Sequence, residues 1–247
     1  MDFTSAESLT AAIKGIDAVV SAVPGVAIKD QIPLIDAAAA AGVKRFISSE
    51  FGAVTFNPKL ETFPLYENVF KIKRHLQAKA DAGQMTWSVL APGAWVEFMF
   101  MPGILDFATR TATLVDQGDN RLSVNTLATS GKAIAAILSN PEATKNRVVK
   151  ISEMILTQNQ VLKIAQRLRP EDHWEVTKFA ATDCLQEALE AIRAGDIRPL
   201  VRSKLAKGTG YAGETYGSAY DENDNELLGI KEWTEKDLEK IVAVQLA

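Results

Sequence analysis

Asp17-Ala-Val-Val-Ser-Ala-Val23 is a short apolar run rich in β-branched residues, and Pro24-Gly25 ends it. A run without polar alternation is typical of a strand that is buried on both faces of a parallel sheet. Two further runs of this kind follow, Val43–Ser48 and Thr86–Ala91. The sequence therefore predicts three buried strands in its first third.

Apolar residues at helical spacing lie between these runs and predict helices over Ile28–Ala41 and from about Tyr66 to Ala82. Pro33 fits a first turn capped by Asp30, and otherwise it kinks the first helix. Alternating strands and helices indicate a parallel sheet with right-handed crossovers. The first third is thus predicted to be an α/β sheet with flanking helices.

Ligands of such sheets bind beyond the carboxyl ends of the strands. These ends are Ser21–Pro24, Ser48–Gly52 and Ala91–Val96. We therefore expect these three loops to line the site if a small molecule binds.

The second half of the chain is less regular. The patterns predict a helix capped by Thr129 or Ser130 that runs to Leu138, a strand over Arg147–Ser152 and a helix after the capping box Thr157–Gln160. They further predict a helix over Asp183–Ala194, a surface or cleft-edge loop over Gly208–Asn225 and a final helix capped by Thr234. The sequence contains no internal repeat, and no linker is long enough to separate two independent domains.

Composition excludes several classes of protein. The chain has 247 residues, 47% of them hydrophobic, and a net charge of -4, whereas a general nucleic-acid or anionic-membrane binder carries a basic excess. Cys184 is the single cysteine and the two histidines are His75 and His173, so neither an internal disulfide nor a zinc site is expected. With no signal peptide or membrane span in the sequence, a soluble cytoplasmic protein is predicted.

Two nucleotide-enzyme patterns occur in unsuitable positions. Gly208-Thr-Gly-Tyr-Ala-Gly213 matches G-x-G-x-x-G, but no strand or helix pattern flanks it, so we interpret it as a chance glycine loop. A Ser–Tyr–Lys reductase site needs Tyr and Lys one helical turn apart. Ser48 or Ser49, Tyr66 and Lys71 come in that order, but Lys71 lies about 140° round the helix from Tyr66. We therefore interpret Tyr66 as a packing residue at the start of the helix and Lys71 as a solvated charge.

Large apolar side chains crowd the segment from Trp95 to Met101, which predicts core packing or, alternatively, the wall of a pocket for an aromatic substrate. Glu50 and Glu97 lie in two of the strand-end loops and are expected to be solvated or capping carboxylates. Cys184 is expected to be a small buried hydrophobe.

Several stretches together resemble one family. They are Ser8–Val23, Gln31–Ala37, Ala41–Gly52, Thr157–Gln160, Asp224-Asn225 and Leu228–Ile230. The sequence is similar to the NmrA-like, isoflavone reductase-like branch of atypical short-chain dehydrogenases, particularly fungal members. The likeness covers almost the whole chain, and Ala41–Gly52 is its most specific part.

The resemblance implies a Rossmann-type domain that binds NADPH and a smaller C-terminal α+β substrate region. We expect one NmrA-like domain over residues 1–247, with the partial nucleotide-binding part in 1–100 and the mainly substrate-binding part in 101–247. The family begins with a strand, a G-x-x-G-x-x-G loop and two more strands, whereas Met1-Asp2 aligns where the third strand ends. The hypothesis that follows is an N-terminally incomplete chain, without the glycine loop, whose Ala18–Val23 strand lacks a neighbour.

By resemblance, cofactor-binding residues are Ser21, Ala22, Val23, Ser49, Glu50, Phe51, Pro92, Gly93, Ala94 and Trp95, and substrate contacts are Glu97 and Phe98. No metal is expected. The family's reductases carry an active-site lysine in the helix after the S-E-F-G loop, and Val69 occupies that position. Tyr66, or water, is left as the candidate proton donor.

The resemblance thus predicts an NADPH-dependent reductase of aromatic or secondary-metabolite substrates. Two alternatives stay open: a non-catalytic NADP(H)-sensing regulator, which Val69 favours, and an incomplete chain without activity. The corresponding partners are a small aromatic molecule or a regulatory protein, with no nucleic acid, no membrane and a possible homodimer.

Overall fold

The computed structural model describes residues 5–246. Its strands are β1 (Ala18–Val20), β2 (Arg45–Ile47), β3 (Thr86–Ala91), β4 (Ala94–Trp95), β5 (Leu105–Asp106), β6 (Thr111–Val115), β7 (Leu122–Asn125), β8 (Arg147–Lys150), β9 (Met154–Leu156) and β10 (Glu175–Phe179). Its helices are α1 (Ala6–Ile13), α2 (Gln31–Ala40), α3 (Tyr66–Asp81), α4 (Val96–Met99), α5 (Leu127–Ser139), α6 (Pro141–Thr144), α7 (Gln158–Leu168), α8 (Ala181–Arg193), α9 (Pro199–Thr209), α10 (Asn225–Leu228) and α11 (Glu235–Gln245). Short 3-10 turns occur at Gly25–Asp30, Pro58–Leu60 and Gly213–Thr215.

The chain forms two compact units, each built from three separate segments. Residues 5–51, 55–91 and 132–149 form the first unit, and residues 52–54, 92–131 and 150–246 form the second.

The first unit contains a four-stranded sheet in the order β1-β2-β3-β8. β2 pairs in parallel with both β1 and β3, as the strand–helix alternation predicts. Among the described residues β1 lies at an edge of this sheet, and Val20 on it is exposed. One apolar cluster, centred on residues such as Leu9, Ile35, Phe46 and Leu76, forms the core of this unit.

The second helix differs in part from its sequence pattern. Pro33 falls in the first turn of α2, as predicted, but α2 begins at Gln31 and not at Ile28, and Asp30 at the N-cap position makes no side-chain capping hydrogen bond. Gly42 and Gly83 follow α2 and α3 with φ of 80° and 67°, a left-handed conformation that glycine adopts without strain.

The second unit contains two three-stranded sheets, β10-β6-β5 and β4-β7-β9. β10 pairs with β6 and β4 pairs with β7 in parallel, while β5–β6 and β7–β9 are antiparallel. A second apolar cluster, which includes Met99, Leu122, Val161 and Val242, fills this unit. Two predicted caps are confirmed, because Thr157 with Gln160 and Thr234 with Asp237 each form a capping box.

Two sequence predictions in this half were wrong. The fifth helix begins at Leu127, not at Thr129 or Ser130, because the Thr126 hydroxyl accepts the Thr129 amide at 3.0 Å and so takes the capping role. The loop predicted from Gly208 begins later, because Pro199–Thr209 is helical. The G-x-G-x-x-G sequence therefore starts at the end of a helix, which is not the position of a phosphate-binding loop.

Candidate functional site

In the first unit, the loops after β1 and β2 are joined by hydrogen bonds. The Ser21 amide donates to the Ile47 carbonyl at 2.9 Å, which extends the pairing of the two strands. The Ser49 hydroxyl donates to the Val23 carbonyl at 2.8 Å, and the Ser49 amide donates to Gln31 Oε1 at the same distance. The structure therefore brings Ser21–Val23 and Ser49 together, as expected from the ends of parallel strands.

Gln31 is a positioning residue that sequence reasoning missed. It is the first residue of α2, it is buried, and its side-chain amide also donates to the Ile28 carbonyl at 3.2 Å. A polar residue that is buried at the start of a helix and bonded to a strand-end loop fixes the loop relative to the helix. Its polar character within the otherwise apolar helix pattern was the available signal.

Glu50 is buried and not solvated, which corrects the expectation for this residue. Its relative exposure is 3%, and neither carboxyl oxygen has a hydrogen-bond partner in the described part of the chain. Burial raises the pKa of Glu50 to about 8, with the Lys73 charge acting in the opposite direction. Glu50 is therefore mostly uncharged at pH 7 and can donate as well as accept a hydrogen bond.

Further polar atoms without partners lie in the same strand-end region. The hydroxyls of Ser21, Ser48 and Thr55 are buried and, within residues 5–246, make no hydrogen bond. Most buried polar atoms in folded proteins are paired. Unpaired hydroxyls and a buried carboxyl thus cluster after β1 and β2, which makes this region the candidate site in the first unit. Beside them, Ala22 is exposed, and Val23 and Phe51 are half-buried.

Tyr66 and Lys71 do not form a reductase pair. Tyr66 begins α3 and is half-buried, whereas the Lys71 ammonium forms an ion pair with Glu67 at 2.5 Å on an exposed part of the helix. Val69, which the resemblance aligns with the family's lysine, is 4% exposed and belongs to the buried face of α3 with Ile72. The structure therefore shows a buried, packing role for Val69.

In the second unit, Asn125 holds the loop from Pro92 to Trp95. Asn125 is completely buried on β7, and its side-chain amide donates to the Pro92 carbonyl and to the Ile151 carbonyl, the latter at 2.9 Å. Its Oδ1 accepts the Glu153 amide at 2.9 Å. Asn125 is a second positioning residue that the sequence analysis missed, because no strand was predicted over Leu122–Asn125.

Gly93 makes the closest backbone approach in this loop. Its φ is 67°, and a β-carbon on it would lie 2.8 Å from the Ser123 carbonyl carbon. The Ser123 hydroxyl in turn accepts the Tyr220 amide at 2.8 Å, and the Tyr220 hydroxyl donates to the Ala53 carbonyl. Burial raises the pKa of Tyr220. Tyr220 is thus a neutral phenol with a structural role. A glycine is required at position 93 because φ is positive there and because the Ser123 carbonyl leaves no room for a β-carbon.

The aromatic segment after this loop divides between core and surface. The Trp95 indole N–H donates to the Ser130 hydroxyl at 2.9 Å. The Trp95 and Phe98 rings pack edge to face with their centroids 5.4 Å apart. Phe98 and Met101 are exposed, while Met99 is fully buried. Core packing is therefore confirmed for Met99, while a pocket wall for an aromatic substrate stays a prediction.

Glu97 is a capping carboxylate, one of the two roles expected for it. Its Oε1 accepts the amide of Leu127, the first residue of α5, at 3.0 Å. A carboxylate at a helix N-terminus interacts favourably with the helix dipole.

No group of three or more His, Cys, Asp or Glu side chains that could hold a metal ion is found among residues 5–246. The helices within this range are all too short or too polar to cross a membrane. Cys184 is buried, as predicted.

The class of protein follows from this fold together with comparisons to known proteins. A family model described as "NmrA-like family" matches residues 1–169. A fungal relative, "Oxidoreductase aprR" of Aspergillus flavus, is 33% identical over 225 residues, which cover 89% of this chain and 74% of the relative. A plant relative, "Isoflavone reductase homolog A622-like" of Nicotiana tabacum, is 32% identical over 116 residues, which cover 44% of this chain and 35% of the relative. The chain belongs to the NmrA-like family and is of the isoflavone reductase-like type.

Solved structures share its α/β fold. The complex of leucoanthocyanidin reductase with NADPH from Vitis vinifera superposes with a TM-score of 0.74 at 19% identity, covering 98% of this chain and 84% of the reductase. AtPrR2 with NADP+ and (+)pinoresinol superposes with a TM-score of 0.69 at 21% identity, covering 99% of this chain and 80% of AtPrR2. At these identities the likeness establishes the Rossmann-type fold.

Proposed function

We propose that this chain is an NADPH-dependent reductase of small aromatic or secondary-metabolite substrates. The observation that carries the proposal is the set of unpaired polar groups of Ser21, Ser48 and Glu50 beside the Ser49 loop, at the edge of the sheet where this fold binds ligands. Membership of a family whose relatives are oxidoreductases supports it. So does the binding of NADPH and of (+)pinoresinol by proteins of the same fold.

The strand-end residues fit the nicotinamide end of the cofactor by their chemistry. Ser21 and Ser48 offer hydroxyls to ribose or amide groups, and uncharged Glu50 offers both a donor and an acceptor to an uncharged carboxamide. NADPH, when bound, would supply the hydride. In this proposal Ser21–Val23 and Ser49–Phe51 hold the cofactor. By resemblance, Pro92–Trp95 are further cofactor contacts, and Glu97 and Phe98 contact the substrate.

The rival proposal is a regulator that senses NADP(H) without turning it over. Val69 favours it, because a buried valine at the family's lysine position offers no group that could hold or move a proton. In the reductase proposal Tyr66 or a bound water must take that role.

Titration with NADPH tests both proposals, with binding followed by calorimetry and by quenching of tryptophan fluorescence. Micromolar binding with turnover of an aryl ketone or enone supports the reductase, and binding without turnover supports the sensor. If a folded sample does not bind NADPH up to millimolar concentrations, both proposals are wrong for this chain.

Val69→Lys separates the two proposals further, with Ile72→Lys as the matched control. Ile72 lies on the same buried face of α3, so both variants bury a lysine. Turnover gained by Val69→Lys alone indicates a reductase that has lost its lysine. Unchanged turnover in both variants leaves the sensor as the better proposal.

A further inference from the structure

We propose that a second pocket, in the second unit, binds a small organic ammonium ion. This pocket, called here the Trp233 pocket, is lined by Ser152, Glu153, Tyr220, Asp221, Glu232 and Trp233, among others, and encloses about 240 Å³. None of these residues belongs to the proposed nicotinamide or substrate site, so the inference does not depend on the proposed function.

The Trp233 ring is held in a fixed orientation. Its backbone amide donates to the Glu153 carbonyl at 2.6 Å, and its indole N–H donates to Glu153 Oε1 at 3.1 Å. The Glu153 carboxylate accepts two further hydrogen bonds, both of 2.8 Å. One comes from the Thr129 hydroxyl and the other from the Thr126 amide. Glu153 therefore holds the indole in place, and the half-buried Trp233 forms part of the pocket lining.

The charges at the pocket favour a cation. Asp221 and Glu232 are exposed carboxylates of its lining. Asp221 forms an ion pair with Arg121 at 2.6 Å, whereas Glu232 has no ion-pair partner in the described chain. A carboxylate without an ion-pair partner beside an indole ring is an arrangement suited to ammonium recognition. Tyr220 lines the pocket but is not assigned to the ligand's cation, because the Lys150 ammonium already lies 5.8 Å from the centroid of its ring.

Ser152 is an independent indication of a ligand. It is 3% exposed, lines the pocket, and its hydroxyl makes no hydrogen bond to any described residue. Its backbone groups are both paired, since its amide donates to Asn225 Oδ1 at 3.0 Å and its carbonyl accepts the Asn225 side-chain amide at 2.7 Å. Ser152 is thus a lining residue whose buried hydroxyl has no protein partner, and we assign this hydroxyl to an N–H donor of the ligand.

These features together define the class of ligand. A primary ammonium carries three N–H donors, for which Ser152 and Glu232 supply acceptors, and its apolar body can lie against the Trp233 ring. A volume near 240 Å³ suits a single ring with a short amine arm. An uncharged alcohol of the same shape would lose the attraction of both the carboxylate and the indole face.

The test compares 2-phenylethylammonium with 2-phenylethanol on the full chain. Binding is followed by calorimetry and by Trp233 fluorescence, with Trp233→Phe identifying the signal. We expect the ammonium to bind with a Kd of about 1 mM or below, and the alcohol to bind at least about fivefold more weakly. Equal binding of the two probes, or no binding of the ammonium up to about 10 mM, would overturn the proposal.

Glu232→Gln and Glu222→Gln form a matched pair for the same titration. Both residues are exposed and each variant removes one negative charge, but only Glu232 lines the pocket. We expect Glu232→Gln to weaken ammonium binding at least about threefold and Glu222→Gln to leave it unchanged. Equal losses in the two variants would show attraction to net charge only and would also overturn the proposal.

Discussion

A β-carbon on Gly93 would collide with the Ser123 carbonyl, lying 2.8 Å from its carbon and closer still to its oxygen. This approach joins the Pro92–Trp95 loop to β7, and Ser123 also binds the Tyr220 amide through its hydroxyl. Gly93 therefore sets the path of a loop that holds four of the proposed cofactor contacts.

Gly93→Ala should lower the free energy of unfolding by about 3 kcal/mol or more, because backbone strain and steric overlap add. Gly217→Ala is the matched control, since Gly217 has a φ of 71° but no atom lies within 4 Å of the position that its β-carbon would take. We expect the control to cost about 1 kcal/mol. Urea unfolding measures both, and equal costs would contradict the importance of the Ser123 contact.

Asn125→Asp should destabilise the second unit by about 3 kcal/mol. The aspartate lacks the two N–H donors that Asn125 gives to the Pro92 and Ile151 carbonyls, and it places a charge in a fully buried position. Asn57→Asp is the control, because an aspartate retains the oxygen that accepts the Lys59 amide. Chemical denaturation at pH 7 checks the difference, and a cost similar to that of the control would refute the positioning role.

Glu50 should make stability depend on pH. Its folded pKa of about 8 exceeds the unfolded value of 4.5, so the folded state holds the proton more tightly. The resulting stabilisation is complete below pH 4.5 and is lost as the pH rises to about 8, with a slope of at most about 1.4 kcal/mol per pH unit.

Glu50→Gln should remove this slope and leave the protein more stable than the wild type at high pH, because the glutamine cannot ionise. Unfolding free energies measured below, near and above the folded pKa of about 8 check the effect. Glu97→Gln serves as the comparison, since Glu97 is exposed and caps a helix. A pH slope that survives in Glu50→Gln would assign it to another group.

Gly208→Ala distinguishes a packing glycine from a nucleotide-binding one. A β-carbon on Gly208 would lie 2.6 Å from the Leu185 amide nitrogen, so this glycine allows α8 and α9 to pack closely. We expect a loss of about 2 kcal/mol in unfolding free energy with unchanged NADPH affinity in the folded fraction. A specific loss of NADPH binding would support a role for G-x-G-x-x-G.

The first unit was largely predictable because its elements carry strong local patterns. Thr86–Ala91 is a strand in the structure with the predicted bounds, and Tyr66–Asp81 differs from the predicted helix by one residue. The second unit was less predictable, since strands such as β4 and β5 are two residues long and owe their existence to tertiary pairing. The ninth helix, α9, was not predicted because Val201 and Leu205 are the only apolar residues that mark its buried side before Gly208.

The candidate site was predictable by position but not by contact. Parallel strand ends identified the loops of Ser21 and Ser49, yet the burial of Glu50 follows from tertiary packing around it, which spacing does not encode. Gln31 was missed for the same reason, because its partner is distant in sequence, and Asn125 was missed because no strand was predicted around it.

The three-segment composition of each unit has a consequence for synthesis on the ribosome. The first unit needs residues 132–149, so it cannot be completed until well over half of the chain has been made. The second unit awaits residues from the last helix, α11, whose Leu238 and Val242 belong to its core. Because residues 52–54 and 92–131 belong to the second unit, segments of that unit are synthesised before the first unit is complete. Apolar strands such as β1 and β2 must therefore remain protected for several seconds of translation.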